Sequence, residues 1–498
     1  MKGRKKGSEG DITMIRFLGK LLIRFGYGLV FSLIGALAVY IYLNTRFTAE
    51  PWHTVALHEE FTADASASVP DFDSYRQLEE RLFSELREKV YQTDSGPGSL
   101  FNRYARGSLS DPSGYEVNWN RSFELAVDNP RGGILMLHGL TDSPYSVRSL
   151  AEVLHAQGFW VVGLRLPGHG TIPAALTRIK WQDWVAASDL GAHHVRDRIG
   201  PELPFYIVGY SNGGALAVEY SLRVMNGENI PRPEGLVLIS PEIALPAVAS
   251  LAKFQLALSR LPGLGKLAWE SVMMEYDPFK YNSFPVNAGD QANRLTEHIQ
   301  VQLEKLQKGG MLKSFPRVLA FQSIVDATIK AEGAADDFLN RLPPGGHALV
   351  LFDVNQIARA ENLLAKTGEE FKSRLLADRP LPFDLTIVTN AEQNSDTVKA
   401  IRKKSMQTSL ENIDLSLSWP RGIYSLSHVA LPFPPDDPIY GDLPFQGSGH
   451  VRLGKIEVRG EKGVFIIPGA NLMRLRHNPF YSFMEERIIM FFKSPQEE

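Results

Sequence analysis

The sequence predicts an α/β fold, and three observations predict it. Short apolar runs of strand length alternate with helical segments through the middle of the chain, as a parallel sheet covered on both faces requires. One run leads straight into Gly209-Tyr210-Ser211-Asn212-Gly213, a GxSxG pattern followed by a helix-like stretch. An earlier run leads into His138-Gly139-Leu140-Thr141-Asp142-Ser143, a loop placed where a backbone donor to a reacting carbonyl belongs.

The chain has 498 residues, 44% hydrophobic and 22% charged, enough for a large core and one elaborated main domain at 115–498. The net charge of −3 is unevenly spread. Residues 1–24 hold seven Lys and Arg against Glu9 and Asp11, a tail of +5 that leaves −8 on the rest. A body of that sign is a poor polyanion binder, so nucleic acid is not an expected partner. With no cysteine, disulfides, thiolate metal sites and cysteine nucleophiles are excluded.

Residues 25–43 (FGYGLVFSLIGALAVYIYL) form nineteen uncharged positions, close to the thickness of a bilayer at helical rise. With the basic tail in front, this reads as a signal-anchor that keeps the N-terminus cytoplasmic and the body extracytoplasmic, periplasmic in a Gram-negative cell. A cleaved signal is the competing reading, since Ala36-Leu37-Ala38 has the small-x-small form. Cleavage there would leave Val39 to Leu43 as an apolar new terminus.

Residues 44–114 read as a linker with an amphipathic helix, Phe72 to Tyr91, that packs on the main domain through Tyr75, Leu78, Leu82, Leu86 and Val90. A first strand is expected at Tyr115 to Val127. Strands follow at 133–137, 160–164, 205–208 and 236–240, with helical segments between them. Beyond Pro241 the pattern changes. Ala244 to Leu261 and Leu264 to Met273 look helical and apolar and Gly289 to Gln307 more polar, so residues 243–313 read as a cap that would suit an acyl substrate. Strand-like runs resume at 317–321, 347–352, 385–389 and 414–419, the last two within an extra segment of about 356–419. A hairpin at Val451 to Pro468 and a helix at Tyr481 to Phe492 close the chain.

Strand, tight turn and helix around Ser211 are the arrangement that lifts a serine hydroxyl into a pocket, with glycines permitting the strained bend. The Asn212 N–H, at the helix start, and the Leu140 N–H, on the earlier loop, are the candidate donors to an oxyanion.

In these residues the chain resembles the α/β-hydrolase superfamily, in particular its monoacylglycerol lipase and serine aminopeptidase-like branch. The resemblance rests on His138-Gly139-Leu140-Thr141, on Pro167-Gly168-His169-Gly170 and on the Ser211 motif, and covers about Tyr115 to Ser240 well. It implies a doubly wound, mostly parallel sheet with a helical cap, hydrolysis of an acyl ester through a Ser-His-Asp triad, and no metal or organic cofactor. His169 itself reads as a structural loop residue, not a catalytic one. Asp326, in FQSIVDATI after a strand, matches the family's acid position, with Asp396 the alternative and Asp353 a more distant one. His428, in YSLSHV before a proline-rich loop, matches the base, with His450 as the alternative and His347 at the wrong end of its strand. Asp326 lies farther before His428 than the family's usual spacing, which implies an insertion. The reading is a membrane-anchored carboxylesterase acting on lipid-like esters. An aminopeptidase or acyltransferase using the same triad, or a non-catalytic binding protein on this fold, are the other readings.

Overall fold

A computed structural model describes residues 7–46, 49–91, 100–243, 255–259, 261, 263–356, 368–392, 395–444, 450–454 and 469–493. Its centre is a ten-stranded sheet in the order β1-β3-β2-β4-β5-β8-β9-β10-β11-β12. These strands are β1 (Phe123–Leu125), β2 (Gly133–Leu137), β3 (Trp160–Leu164), β4 (Phe205–Tyr210), β5 (Gly235–Ile239), β8 (Arg317–Ser323), β9 (Ala348–Phe352), β10 (Asp384–Asn390), β11 (Thr397–Lys403) and β12 (Leu410–Ser418). The run from β3 through β10 is parallel throughout, while β1, β11 and β12 are antiparallel to their neighbours.

Both faces of the parallel strands are buried, which is why they read as continuous apolar runs rather than alternating ones. Along β2, Leu135 and Leu137 join one apolar cluster with Ile207, Leu236 and Trp184, while Ile134 and Met136 join another with Val208, Val237 and Phe321. Helices Trp181–Ile199, Asn212–Met225 and Val286–Lys308 supply the first layer. Helices Tyr145–Ala156 and Tyr481–Lys493 supply the second.

The amphipathic helix Phe72–Lys89 lies on this body, burying Tyr75, Leu78, Leu82 and Leu86, and its Asp71 cap accepts from Ser74 N–H. It docks through a buried cation. Arg165, fully buried, meets Glu60 at 3.0 Å and Glu79 at 2.8 Å, and its carbonyl accepts from the Tyr75 hydroxyl at 2.7 Å. The apolar residues 19–40 lie in helix Gly7–Arg46 and none of that stretch is buried against the body.

Several expectations need correction. The strand expected at Tyr115 to Val127 shrinks to Phe123–Leu125, because Asn118 Oδ1 closes a turn by accepting from Asn120 N–H, and Asn120 Nδ2 donates to the distant Pro278 O. Leu264 to Met273 is not helical beyond a short turn at Gly265–Ala268. Trp269–Ser271 forms β6, paired with β7 (Phe284–Pro285), and Trp269 is buried near Trp52 and Tyr104. Burial of one large ring there outweighs local propensity. Strand β11 was not anticipated, since its TVKAIRK sequence is charge-rich. It alternates buried Val398 and Ala400 with more exposed neighbours. Of the apolar stretch Ala244 to Leu261, residues 244–254 and 260 lie outside the described residues, as do residues 455–468 of the expected hairpin.

Candidate active site

The bend at Ser211 is built by geometry that only glycine neighbours allow. Strand β4 ends at Tyr210, Ser211 sits at φ 53° and ψ −117°, and a helix starts at Asn212. Such a backbone costs about 1–3 kcal/mol in a non-glycine residue and persists only where its surroundings over-determine it. Here Ser211 N–H donates to Ile239 O at 2.9 Å, and its carbonyl accepts from Gly214 N and Glu242 N at 2.9 and 3.1 Å. A Cβ on Gly209 would come within 2.3 Å of Gly213 O, and one on Gly213 within 2.1 Å of Leu137 O. The helix therefore packs backbone to backbone against two strand ends.

Ser211, His428 and Asp326 form one hydrogen-bonded line. The Ser211 hydroxyl lies 3.0 Å from His428 Nε2, and His428 Nδ1 lies 2.8 Å from Asp326 Oδ2. With Nδ1–H donating to the carboxylate, Nε2 is left as the acceptor for the serine proton. Asp326 Oδ2 also accepts from Gln322 Nε2 at 2.8 Å, and Oδ1 from the N–H groups of Thr328 and Ile329 at 2.7 and 3.0 Å. Burial raises the Asp326 pKa, but the His428 ring and these N–H donors outweigh it and hold the carboxyl below its ordinary range.

Asp326 and His428 lie 102 positions apart, with β9, helix Glu369–Leu376 and β10 to β12 between them. The chain then returns across the strand ends. Asn355 N–H donates to Tyr424 O at 2.7 Å, Asn355 Nδ2 to Ile423 O at 2.9 Å, and Ser323 Oγ to Leu426 O at 2.9 Å.

The loop after β2 is fixed by a neutral histidine. Buried His138 donates from Nδ1 to Gly139 O at 2.9 Å and accepts at Nε2 from Leu166 N–H at 3.0 Å. Burial and the neighbouring His169 keep its pKa well below the ordinary value. Thr141 adopts φ 67°, its carbonyl accepts from Tyr281 N–H at 2.8 Å, and Asp142 pairs with Lys280 at 2.9 Å. Leu140 thereby borders the same cavity as Ser211, and Asn212 opens the helix beside it. His169 donates to Pro167 O at 3.0 Å, and burial pushes its pKa down to about 3, so it holds its loop.

The other candidates lie elsewhere. Asp396 is exposed at the β10–β11 turn, and Asp353 pairs with Lys372 at 2.8 Å. His450 stacks on Tyr115 with ring centres 4.1 Å apart, and His347 precedes β9 at the far end of the sheet. None of them is brought to Ser211.

A cavity of about 560 Å³ opens over Ser211, walled by Leu140, Phe284, Val286 and Ile329 among others. Sequence reasoning passed over its polar residues Glu242, Lys280, Asp290 and Arg474. Glu242 carries a signal, an acid within the apolar run PEIALP directly after a strand, whereas Arg474 carries none. Among the described residues no cluster of His, Asp and Glu could hold a metal ion.

Part of the chain is similar to known proteins. Residues 128–352 match the family model described as serine aminopeptidase, S33. The thermostable monoacylglycerol lipase of Bacillus sp. (strain H-257) is 32% identical over 124 residues, 25% of this chain and 46% of that protein. Phospholipase YtpA of Bacillus subtilis (strain 168) is 30% identical over 120 residues, 24% of this chain and 44% of that protein. The chain thus spans less than half the length of these curated relatives. Among solved structures, the monoacylglycerol lipase of Paleococcus ferrophilus is 19% identical with a TM-score of 0.35, over 47% of this chain and 88% of that one.

Proposed function

Residues 128–352 belong to the α/β-hydrolase superfamily, in its monoacylglycerol lipase-like branch, and from that premise we propose that the protein is a membrane-anchored serine esterase cleaving lipid-like carboxylic esters. The observation that carries the reading is the unbroken line from Ser211 Oγ through His428 to Asp326.

In this mechanism His428 Nε2 takes the Ser211 proton as Oγ attacks the ester carbonyl. The N–H groups of Leu140 and Asn212 hold the tetrahedral oxyanion, and Asp326 fixes the imidazole tautomer and stabilises imidazolium. His428 then returns the proton to the leaving alcohol. Water, deprotonated by the same ring, attacks the acyl-enzyme and frees the acid. The low Asp326 pKa keeps the carboxylate ionised while the imidazolium forms.

Membrane anchoring is supported by the exposed apolar helix and the basic residues before it, which favour a cytoplasmic N-terminus with the hydrolase on the far side. Tyr40, at the far end of that apolar stretch, lies against Gly263 of the segment that also brings Gln255 to the cavity.

The test is turnover of p-nitrophenyl esters by the full-length protein in detergent, with Ser211→Ala beside it. Turnover that vanishes in the variant supports the reading. Equal turnover by both proteins ends it.

A further inference from the structure

Most of the charged groups around the cavity are paired or neutral. Lys280 is neutralised by Asp142 at 2.9 Å, and Asp290 is paired with Arg294 at 2.7 Å. Glu242 is 6% exposed, and burial alone pushes its pKa up to about 8, so near neutral pH it is largely a protonated acid able to donate a hydrogen bond. Glu270 borders the cavity from an exposed position. The remaining cation is Arg474. It borders the cavity beside Ile329 and His428, and its Nη2 donates to the neutral Thr328 hydroxyl at 3.0 Å. Among the described residues no carboxylate lies within ion-pair distance of it. Arg474 lies outside residues 128–352, the stretch that matches the family model.

We propose that Arg474 is a specificity residue that reads a phosphate group on the alcohol side of the ester, so that acyl esters of a phosphorylated alcohol are favoured over uncharged ones. The inference rests on the esterase reading. A guanidinium held at one edge by Thr328 keeps its other N–H groups for a planar, two-point contact with phosphate oxygens, which an ammonium cannot reproduce. Half-burial at a cavity wall strengthens that contact relative to open water. Glu242, protonated, adds a donor without adding repulsion.

The experiment compares kcat/KM for a 1-acylglycerol 3-phosphate and the 1-acylglycerol of the same chain length, using full-length protein in neutral detergent micelles. The parent protein is expected to prefer the phosphate ester. In Arg474→Gln the ratio of the two kcat/KM values should fall about ten- to a hundredfold, mainly through KM, as loss of a hydrogen bond to a charged group implies. Arg474→Lys should recover part of the ratio, and added salt should lower it in the parent. Absence of preference in the parent overturns the proposal. So does an equal loss on both esters in Arg474→Gln, which is what a mere clamp on the Asp326 loop would give. If neither ester is turned over and a fluorophosphonate leaves Ser211 unlabelled, the esterase reading itself fails and takes this inference with it.

Discussion

Ser211 and Asp326 stand at the ends of β4 and β8, strands buried on both faces, whereas His428 arrives on irregular chain that has first run through β10, β11 and β12. The first two positions are set locally, by a strand, a turn and glycines that permit close approach. The third is set by a few long-range hydrogen bonds, those of Asn355 and Ser323 foremost. Every residue of β12 is at least partly exposed, whereas Trp419, Leu426 and Leu431, on the chain that follows it past His428, are buried in one apolar cluster with Phe352 and Phe480. The two halves should therefore break differently.

The largest effect is expected in the local half. Ser211→Ala should lower kcat by about 10⁴-fold or more with the fold intact, measured by ester turnover and circular dichroism. Gly213→Val should cost the fold as well, because its Cβ alone would meet Leu137 O at 2.1 Å, and soluble yield reports it.

In the long-range half the loss should be graded. Asn355→Ala removes the Nδ2 bond to Ile423 O and the acceptor of Asn390 Nδ2 at 2.9 Å. A displacement of His428 by about 1 Å would reduce kcat by about a hundredfold, while the thermal midpoint falls by only a few degrees. A kcat unchanged by this substitution would mean that His428 is held by something else. Asp396→Asn, at the exposed turn, should leave both kcat and stability unchanged within error.

The pH dependence of stability sharpens the same contrast. His169 and His53 are held neutral by burial, with pKa values pushed down to about 3 and about 4 from the ordinary 6.5. Below pH 6.5 the unfolded chain takes up protons that the folded one refuses, so stability is full above that pH and is lost progressively as pH falls toward those lower values. Thermal midpoints at pH 7.5 and 5.0 should show the drop, and His169→Gln should make it shallower. An equal slope in the variant would mean that His169 is not excluded from protonation.

How much of this could be read from the sequence follows the same division. The parallel strands announce themselves because burial on both faces demands unbroken apolar runs, and the bend at Ser211 because its glycines are a steric requirement. Beyond β9 the signals fade. Strand β11 hides behind lysines and arginine, being half-exposed. The Trp269 strand reads as helix until Trp52 and Tyr104 are seen beside it. Choosing Asp326 over Asp353 and Asp396 from sequence rested on its resemblance to a known family's acid site after a strand, against that family's usual spacing to the histidine. Spacing along the chain does not show that β10 to β12 intervene before the chain returns to Ser211. Glu242 and Arg474 face a cavity whose walls come from many separate stretches of chain, which no local pattern records.

The central claim, that a histidine reached only after this detour activates Ser211, is tested most directly by fluorophosphonate labelling of full-length protein and its His428→Gln variant. The account predicts rapid labelling of Ser211 in the parent, abolished by Ser211→Ala, and labelling slowed by at least about 10³-fold in His428→Gln. Labelling at the parent rate in His428→Gln would contradict it and assign the proton transfer to another group.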